Sequence, residues 1–416
     1  MRICMLVTTN VTNDPRVSKE ATALALAGHL VTVFGIYMSN VDSASETVNG
    51  VEVRRIDLWN RRIVRWLKSA KPRLTTQVGN QTSISLASKW KANIVHLLYD
   101  LNDVVDLLCA FSQMFFSAIR CRCDAYHCHD ANTLLPGYLL HKITGKSLVY
   151  DSHEYWAGKN TSKPITGWLT RTIEHNTIKI CSLVFTVNKT IADRLANDHT
   201  IRKPLVILNV PEVAQAMPPE QYQLEEPIKI LYHGLYSKGR GIESVIQAMA
   251  MVQSSVVFGL RGYGDNENAL RKLVDDLQVQ EKVQFLEPVK MTELVNKAAE
   301  FHVGVIPFEK SSSFAESLPN KVFEYMASGL CILSNNLVEL ERLITSHHIG
   351  KIYYDENPKS IASAIDELCS DINFLQVLRG NAWTVFNEVY AWGKHKHVLL
   401  TAYERLGNAN KGSFNV

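Results

Sequence analysis

Nowhere does the 416-residue sequence hold an apolar stretch long enough to cross a bilayer, which takes about 20 consecutive residues. The opening MRICMLVTTN carries one arginine and an apolar run that stops at Thr8, too short for a secretory signal. A later run, VVDLLCAFSQMFFSAI from Val104, is broken by Asp106 and Gln113. The expected location is therefore the cytoplasm. Cysteine is scarce and scattered. Its eight copies include the stretch CRCDAYHCH, where Cys121, Cys123, Cys128 and His129 match no zinc-ligand spacing and read as buried, reduced thiols. No D-x-D pair of carboxylates offers itself to a divalent ion. An excess of one charge is also lacking: 44 basic residues stand against 41 acidic, a net +3, and no nucleic-acid partner is expected. No short repeat is present.

What the chain does have is an ordinary globular composition, 46% hydrophobic and 20% charged, over a length that exceeds one core and predicts two domains. Short β-branched runs alternate with helical patterns, as in parallel sheets flanked by helices. ICMLV reads as a strand. The helix DPRVSKEATALALAGH follows, with Asp14 as cap, Pro15 in the first turn and Gly28 as stop. LVTVFGI, GVEVRRI, AYHCH, SLVYD and SLVFTV continue the series to PLVILNV. Residues 209–227 hold four prolines and little periodicity, and read as a linker. A second series then runs through IKILYHG, VVFGLRGYG, KVQFLE, FHVGVIPF and LCILSN. The expected fold is α/β: two doubly wound Rossmann-like domains, 1–208 and 228–390, facing across a cleft lined by the C-terminal strand ends of both sheets.

The stretch ESLPNKVFEYMASG, residues 316–329, reads as a helix capped by Ser317, with Pro319 in its first turn and Gly329 as its stop. Glu316 lies just ahead of it and Glu324 within it. At about 100° per residue the two carboxylates sit roughly 80° apart, so both can look toward one ligand. The helix N-terminus, with Lys321 beside it, offers a diphosphate site, while the carboxylates suit hydroxyls. A sugar and a ribose joined by a diphosphate meet both demands. On spacing alone, two solvated glutamates on an ordinary helix remain the commoner explanation.

Context changes that balance. Residues 316–329, with NDPRVSKEATALALAGHLVTV (13–33), AYHCHDANTLLPGYLLHKITGKSLVYDSHEYW (125–156), GLYSKGRGIESVIQAM (234–249) and RGYGDNENALRKLVDDLQVQEKVQFLEPV (261–289), together resemble glycosyltransferase family 4, retaining enzymes of the GT-B fold. The matches follow the family's order over nearly the whole chain. The resemblance implies that Glu324 binds the ribose of a nucleotide sugar and Glu316 the transferred sugar, with Leu318, Pro319 and Asn320 beside them. Arg240 stands where the family usually has a phosphate-binding lysine, and its fork suits a diphosphate. Leu235 replaces a second cation, which leaves Lys238 or Lys321 to serve. Gly262 and Gly264 would let the backbone turn beneath the nucleotide, and Val289 would follow the strand that meets the base. His129 is implied over the reacting carbon, although His127 shares its strand face and a lone histidine is more often packed. His153 and Glu154, which otherwise read as a loop cap, would line the acceptor side with Arg16. Thr8, Thr9 and Asn13 stand where the family has a glycine-rich loop. No metal or other cofactor is expected. The C-terminal helix from about 391–416 looks like the one that crosses back onto the first domain in this fold. Two other readings are a nucleotide-sugar epimerase of the same architecture and a non-catalytic partner subunit.

The partners implied are a nucleotide sugar and a glycan or lipid-linked acceptor, in cell-surface polysaccharide or glycolipid synthesis. Residues 54–73 hold eight basic residues and one acidic, a charge of +7 against −4 for the rest. Within them WNRRIVRWLKSAK (59–71) gathers Trp59, Ile63, Trp66, Leu67 and Ala70 on one helical face and Arg61, Arg62, Arg65 and Lys68 on the other. That pattern fits a helix lying on an anionic membrane surface, and also a helix packed on its own domain. If the membrane is the partner, the chain co-sediments with anionic liposomes at low salt, and replacing Arg61, Arg62 and Arg65 by glutamate abolishes this; a chain that stays in the supernatant has an internal helix.

Overall fold

The structure is a computed structural model that describes residues 1–12, 14–37, 43–59, 103–156, 164–213, 218–219, 224–310 and 318–412. Residues 60–71 of the basic segment, Asn13, Glu316 and Ser317 lie outside the described residues. The chain divides into two units: 1–207 with 396–416, and 208–395.

The first unit is built on an eight-stranded sheet of β1 (Arg2–Leu6), β2 (Leu30–Ile36), β3 (Ser45–Val48), β4 (Val51–Ile56), β5 (Ala125–His129), β6 (Ser147–Ser152), β7 (Leu183–Thr186) and β8 (Leu205–Val206). Their order is β3-β4-β2-β1-β5-β6-β7-β8, parallel except for the β3–β4 hairpin. Strand order reverses beside β1, the switch point at which doubly wound sheets bind ligands. One sheet face is apolar: Cys4, Leu6, Tyr126, Cys128, Leu148 and Tyr150 pack in one core with Leu134 and Leu140 of helix Leu134–Thr144. The alternate residues His127, His129 and Asp151 are equally buried but polar. Helix Pro15–Leu26 starts as its sequence demands. Asp14 accepts a hydrogen bond from Val17 N, Pro15 fills the first turn, and Gly28 leaves at φ +86°.

The second unit carries β9 (Ile228–Leu235), β10 (Val256–Tyr263), β11 (Val283–Leu286), β12 (Val303–Ile306), β13 (Cys331–Asn335) and β14 (Gly350–Tyr353). All are parallel, in the order β11-β10-β9-β12-β13-β14, so its switch point lies between β9 and β12. Nearly continuous apolar strands fit a sheet covered on both faces. The motif helix spans Asn320–Ala327, and Pro319 is its N-cap rather than a member of its first turn. Gly329 ends it at φ +68°.

The helix Trp392–Gly412 ends the described chain, and its residues from 396 belong to the first unit. There the hydroxyl of Tyr403, fully buried, is hydrogen-bonded with His127 Nδ1 at 2.8 Å, anchoring the helix on β5. No helix among the described residues is long and apolar enough to cross a membrane.

Gly262 pairs with Gly234 across β10 and β9, and a Cβ added to it would lie 1.9 Å from Gly234 O. Only glycine lets these strand ends approach so closely. Gly262→Ala is therefore expected to lower stability by about 1–3 kcal/mol through overpacking, read as an earlier urea unfolding midpoint of the second unit; an unchanged midpoint would show that the strand ends move apart freely.

Candidate functional site

Parallel pairing places His129 opposite Asp151 on β5 and β6, and this register assembles the first cluster. Asp151 is fully buried. Arg16 grips it from helix Pro15–Leu26 with a fork, Nε to Oδ2 at 2.7 Å and Nη2 to Oδ1 at 2.6 Å. His153 Nε2 meets Oδ2 at 2.9 Å, and His129 Nδ1 meets the same oxygen at 3.2 Å. Burial would push the Asp151 carboxyl up, but Arg16 and His153 hold it well below the usual carboxylate range. Glu20, one turn beyond Arg16 and 3.2 Å from its Nε, is instead pushed up by burial and by Asp151. Asp130, at φ +64°, accepts from His153 N at 3.0 Å and Trp156 Nε1 at 3.2 Å. A non-glycine residue in the left-handed region needs a reason, and here its carboxylate fixes the loop that carries His153. Burial disfavours the His153 imidazolium, but Asp130 and Asp151 outweigh it and raise its pKa to about 9.

The second cluster gathers at the switch point of the other sheet. Lys321, on the first turn of helix Asn320–Ala327, is buried with Nζ 3.9 Å from the centre of the Tyr232 ring and 4.9 Å from that of Phe308. Arg240 lies over Phe308 as well, its guanidinium carbon 4.7 Å from the centroid. Two cations thus share one aromatic ring. Burial, reinforced by Arg240, holds the Lys321 ammonium well below its usual pKa. Gly234, at φ +131°, makes room beside it, since a Cβ there would come 3.3 Å from Lys321 Nζ. Glu324 keeps a side-chain exposure of 16% and accepts from His233 Nε2 at 2.7 Å. Burial lowers the His233 pKa although Glu324 opposes it, which suits a neutral imidazole donating that bond.

The structure brings Arg240, Lys321 and Glu324 together but does not place all the residues expected from sequence among them. Lys238 sits on an exposed turn, so Lys321 is the second cation. Gly262 and Gly264 approach the backbone of Gly234 and Tyr236. Leu318 and Pro319 are half-buried and Asn320 exposed at the helix start, while Val289 is half-buried in the loop after β11. Arg16 is corrected from a ligand-facing residue to a structural one. It is 3% exposed, and its third donor, Nη1, reaches Ile207 O, so no part of the fork is left for an acceptor. His129 is likewise enclosed, its imidazole 0% exposed, whereas His153 shows 18% of its side chain. Glu154 is exposed. Thr8 and Thr9 hold Asn132 and Asp14. Sequence reasoning passed over Asp151, Asp130, Glu20, Phe308 and His233. Only the last carried a signal, as a histidine at the end of a strand in IKILYHG.

Residues 216–383 match the family model described as glycosyl transferases group 1. An uncharacterized glycosyltransferase of Methanocaldococcus jannaschii is 27% identical over 313 residues, 68% of this chain and 75% of that protein. Sucrose-phosphate synthase of Thermosynechococcus elongatus superposes with a TM-score of 0.74 at 15% identity, covering 98% of this chain and all of the other. HepE of Anabaena, solved with UDP-glucose, reaches 0.66 at 12% identity over 98% and 100% of the two chains. The chain has the GT-B fold, and most of its second unit matches the glycosyl transferase group 1 model. The protein thus carries its two polar clusters at the switch points of its two sheets, one built on ion pairs and the other on two basic side chains over one aromatic ring.

His153 gives the first unit a pH signature. A folded pKa of about 9 lies above the unfolded value of about 6.5, so the stabilisation is complete below pH 6.5 and is lost as the pH rises through 9. Unfolding of the first unit in urea should need up to about 3 kcal/mol less at high pH than at about pH 6. In His153→Gln that slope should flatten; an equal slope in both proteins would assign it to another group.

Proposed function

We propose that this protein is a retaining glycosyltransferase that moves a hexosyl or N-acetylhexosaminyl unit from a nucleotide-diphosphate sugar to a hydroxyl acceptor. The observation that carries this reading is the pair of cations, Arg240 and Lys321, over Phe308 at the start of helix Asn320–Ala327. A diphosphate at this place would meet both basic side chains, and the helix dipole would add to its hold. Glu324, fixed by His233, accepts hydrogen bonds from the ribose. Glu316 receives the sugar hydroxyls in this reading, as the sequence motif implies. HepE, a neighbour in fold, binds UDP-glucose, which supports a donor of this class.

A nucleotide diphosphate is already a good leaving group, so the site needs charge stabilisation rather than the acid and nucleophile of a glycosidase. Arg240 and Lys321 take up the negative charge that develops on the departing phosphate. The acceptor hydroxyl then attacks from the face the phosphate leaves, and a phosphate oxygen takes its proton. No metal is needed at the diphosphate. In the first unit His153 replaces His129 as the group that meets substrate, because it is the exposed imidazole of the pair. Held charged by Asp130 and Asp151, it donates a hydrogen bond and does not act as a base. His129 positions it through the shared Asp151 oxygen. The acceptor is a glycan or lipid-linked hydroxyl, with the basic segment at 59–71 as a means of reaching a membrane surface in polysaccharide or glycolipid synthesis.

Thermal shift against UDP, GDP and ADP should single out one base, since ligand at 100 times its dissociation constant adds about 2.7 kcal/mol; no shift with any nucleotide or its sugars would sink the reading. Glu324→Ala should weaken nucleotide binding about tenfold, or about 1.4 kcal/mol, whereas Glu316→Ala and His153→Ala should keep it and lose turnover. Equal loss of nucleotide affinity in all three would end this division of roles.

A further inference from the structure

Beneath helix Pro15–Leu26, Glu20 Oε1 and Oε2, His127 Nε2 and His129 Nε2 are enclosed without a hydrogen-bond partner. Glu20 and His127 are 0% exposed and His129 1%. One ligating atom from each of Glu20, His127, His129 and Asp151 lies within 4.8 Å of the other three. Glu20 Oε1 has its ion pair with Arg16 Nε at 3.2 Å, but Glu20 Oε2 and the two histidine Nε2 atoms have nothing. Buried polar atoms are ordinarily paired, so three unpaired ones in one place call for an ion or water that satisfies them.

The two imidazoles are set up as metal ligands. His127 Nδ1 is held by the Tyr403 hydroxyl at 2.8 Å, and His129 Nδ1 by the Asp151 carboxylate at 3.2 Å. A ligating histidine commonly gives its second ring nitrogen to an oxygen acceptor, which fixes the tautomer and leaves the other lone pair for the metal. The H-x-H spacing on β5 puts both rings on one sheet face, stacked with centroids 4.3 Å apart and planes 19° from parallel. Glu20 reaches the same place from the helix covering that face. Asp151 remains outside the ligand set, because the Arg16 fork already occupies both its oxygens. Three carboxylates, Glu20, Asp151 and Asp130, face two cations, Arg16 and His153, so a further cation there meets a net negative surrounding.

We propose that Glu20, His127 and His129 form a buried site for a divalent transition-metal ion of the zinc type, with one Glu20 oxygen and the two histidine Nε2 atoms as protein ligands. The ion ties helix Pro15–Leu26 to β5 and, through Tyr403, to the C-terminal helix. It belongs to the first unit, and His129 connects it with His153 directly, at 3.3 Å, and through Asp151. Its role is to brace the first unit.

The full chain, stripped with a chelator, is titrated with Zn²⁺ and Co²⁺. One equivalent should bind, raising Tm by about 5 °C at a hundredfold excess over Kd. The cobalt form should show the visible bands of a nitrogen and oxygen site without the intense near-ultraviolet band of a cobalt thiolate. Glu20→Gln and His127→Gln should each lose that equivalent and the gain in Tm while melting, metal-free, close to the metal-free native chain. If Glu20→Gln does not fold, His127→Gln decides. No binding by the native chain, a thiolate spectrum, or undiminished binding in the variants overturns the site and leaves a metal-free polar cluster.

Discussion

The first unit depends on one buried carboxylate. Asp151 sits at the end of β6 where water does not reach, and it ties together the first helix through Arg16, β5 through His129 and the loop beyond β6 through His153. Taking an ion pair out of water costs several kcal/mol per ion unless geometry and further hydrogen bonds offset it. Here the offset comes from a bidentate fork and two imidazoles, with Ile207 O accepting the remaining guanidinium nitrogen. Removing either partner would strand the other in a low-dielectric setting. The cluster therefore fixes how helix Pro15–Leu26 sits on the sheet, and the loop bearing His153 inherits that rigidity.

The second unit uses charge in the opposite way. Lys321 and Arg240 lie over the same phenylalanine, and Glu324, the carboxylate on the same helix, is turned to His233. Aromatic faces attract cations without neutralising them. The Arg16–Asp151 pair joins a helix to a strand, whereas Arg240 and Lys321 meet over one ring at the start of the motif helix, where an arriving anion would reach both. This contrast separates the structural cluster from the binding cluster more clearly than burial does, since Lys321 is as buried as many core residues.

Much of the fold was legible in the sequence because parallel strands covered on both faces must be continuous apolar runs. LVTVFGI and AYHCH are strands over the expected residues, and the Asp14 cap with Pro15 and Gly28 sets out its own helix. The edge strands SETV and GKIY were not legible, since half-exposed polar strands carry little periodic signal and are made by their neighbours. Site residues divide along the same line. Lys321 and Glu324 belong to one compact motif and Arg240 to another, and all three could be named. Asp151, Asp130 and Glu20 could not, because an acidic residue in a strand end or helix is ordinarily solvated, and only the β5–β6 register and the packing of the first helix bring these three beside histidines. Arg16 was named for the wrong reason, as a ligand contact, since nothing in DPRVSKE reveals that a partner 135 residues later encloses it.

The short motif helix shows how local chemistry and topology reinforce each other. Proline at its N-cap has no side chain with which to accept from the first-turn amides, so the helix start lacks the Ser, Thr, Asp or Asn cap that most helices use. In a bare surface helix this would cost stability. Here it keeps the positive end of the dipole open at a strand switch point, and Val322 N compensates in part by bonding back to Pro319 O at 3.1 Å. Lys321 then adds its charge at the same end, while Val322, Phe323, Tyr325 and Met326 are buried and hold the helix in place. An eight-residue helix has few intrahelical bonds with which to stabilise itself, so its position comes from this packing rather than from propensity. The side chains that anchor it and those that bind alternate along one turn, and a substitution in either set acts on the other.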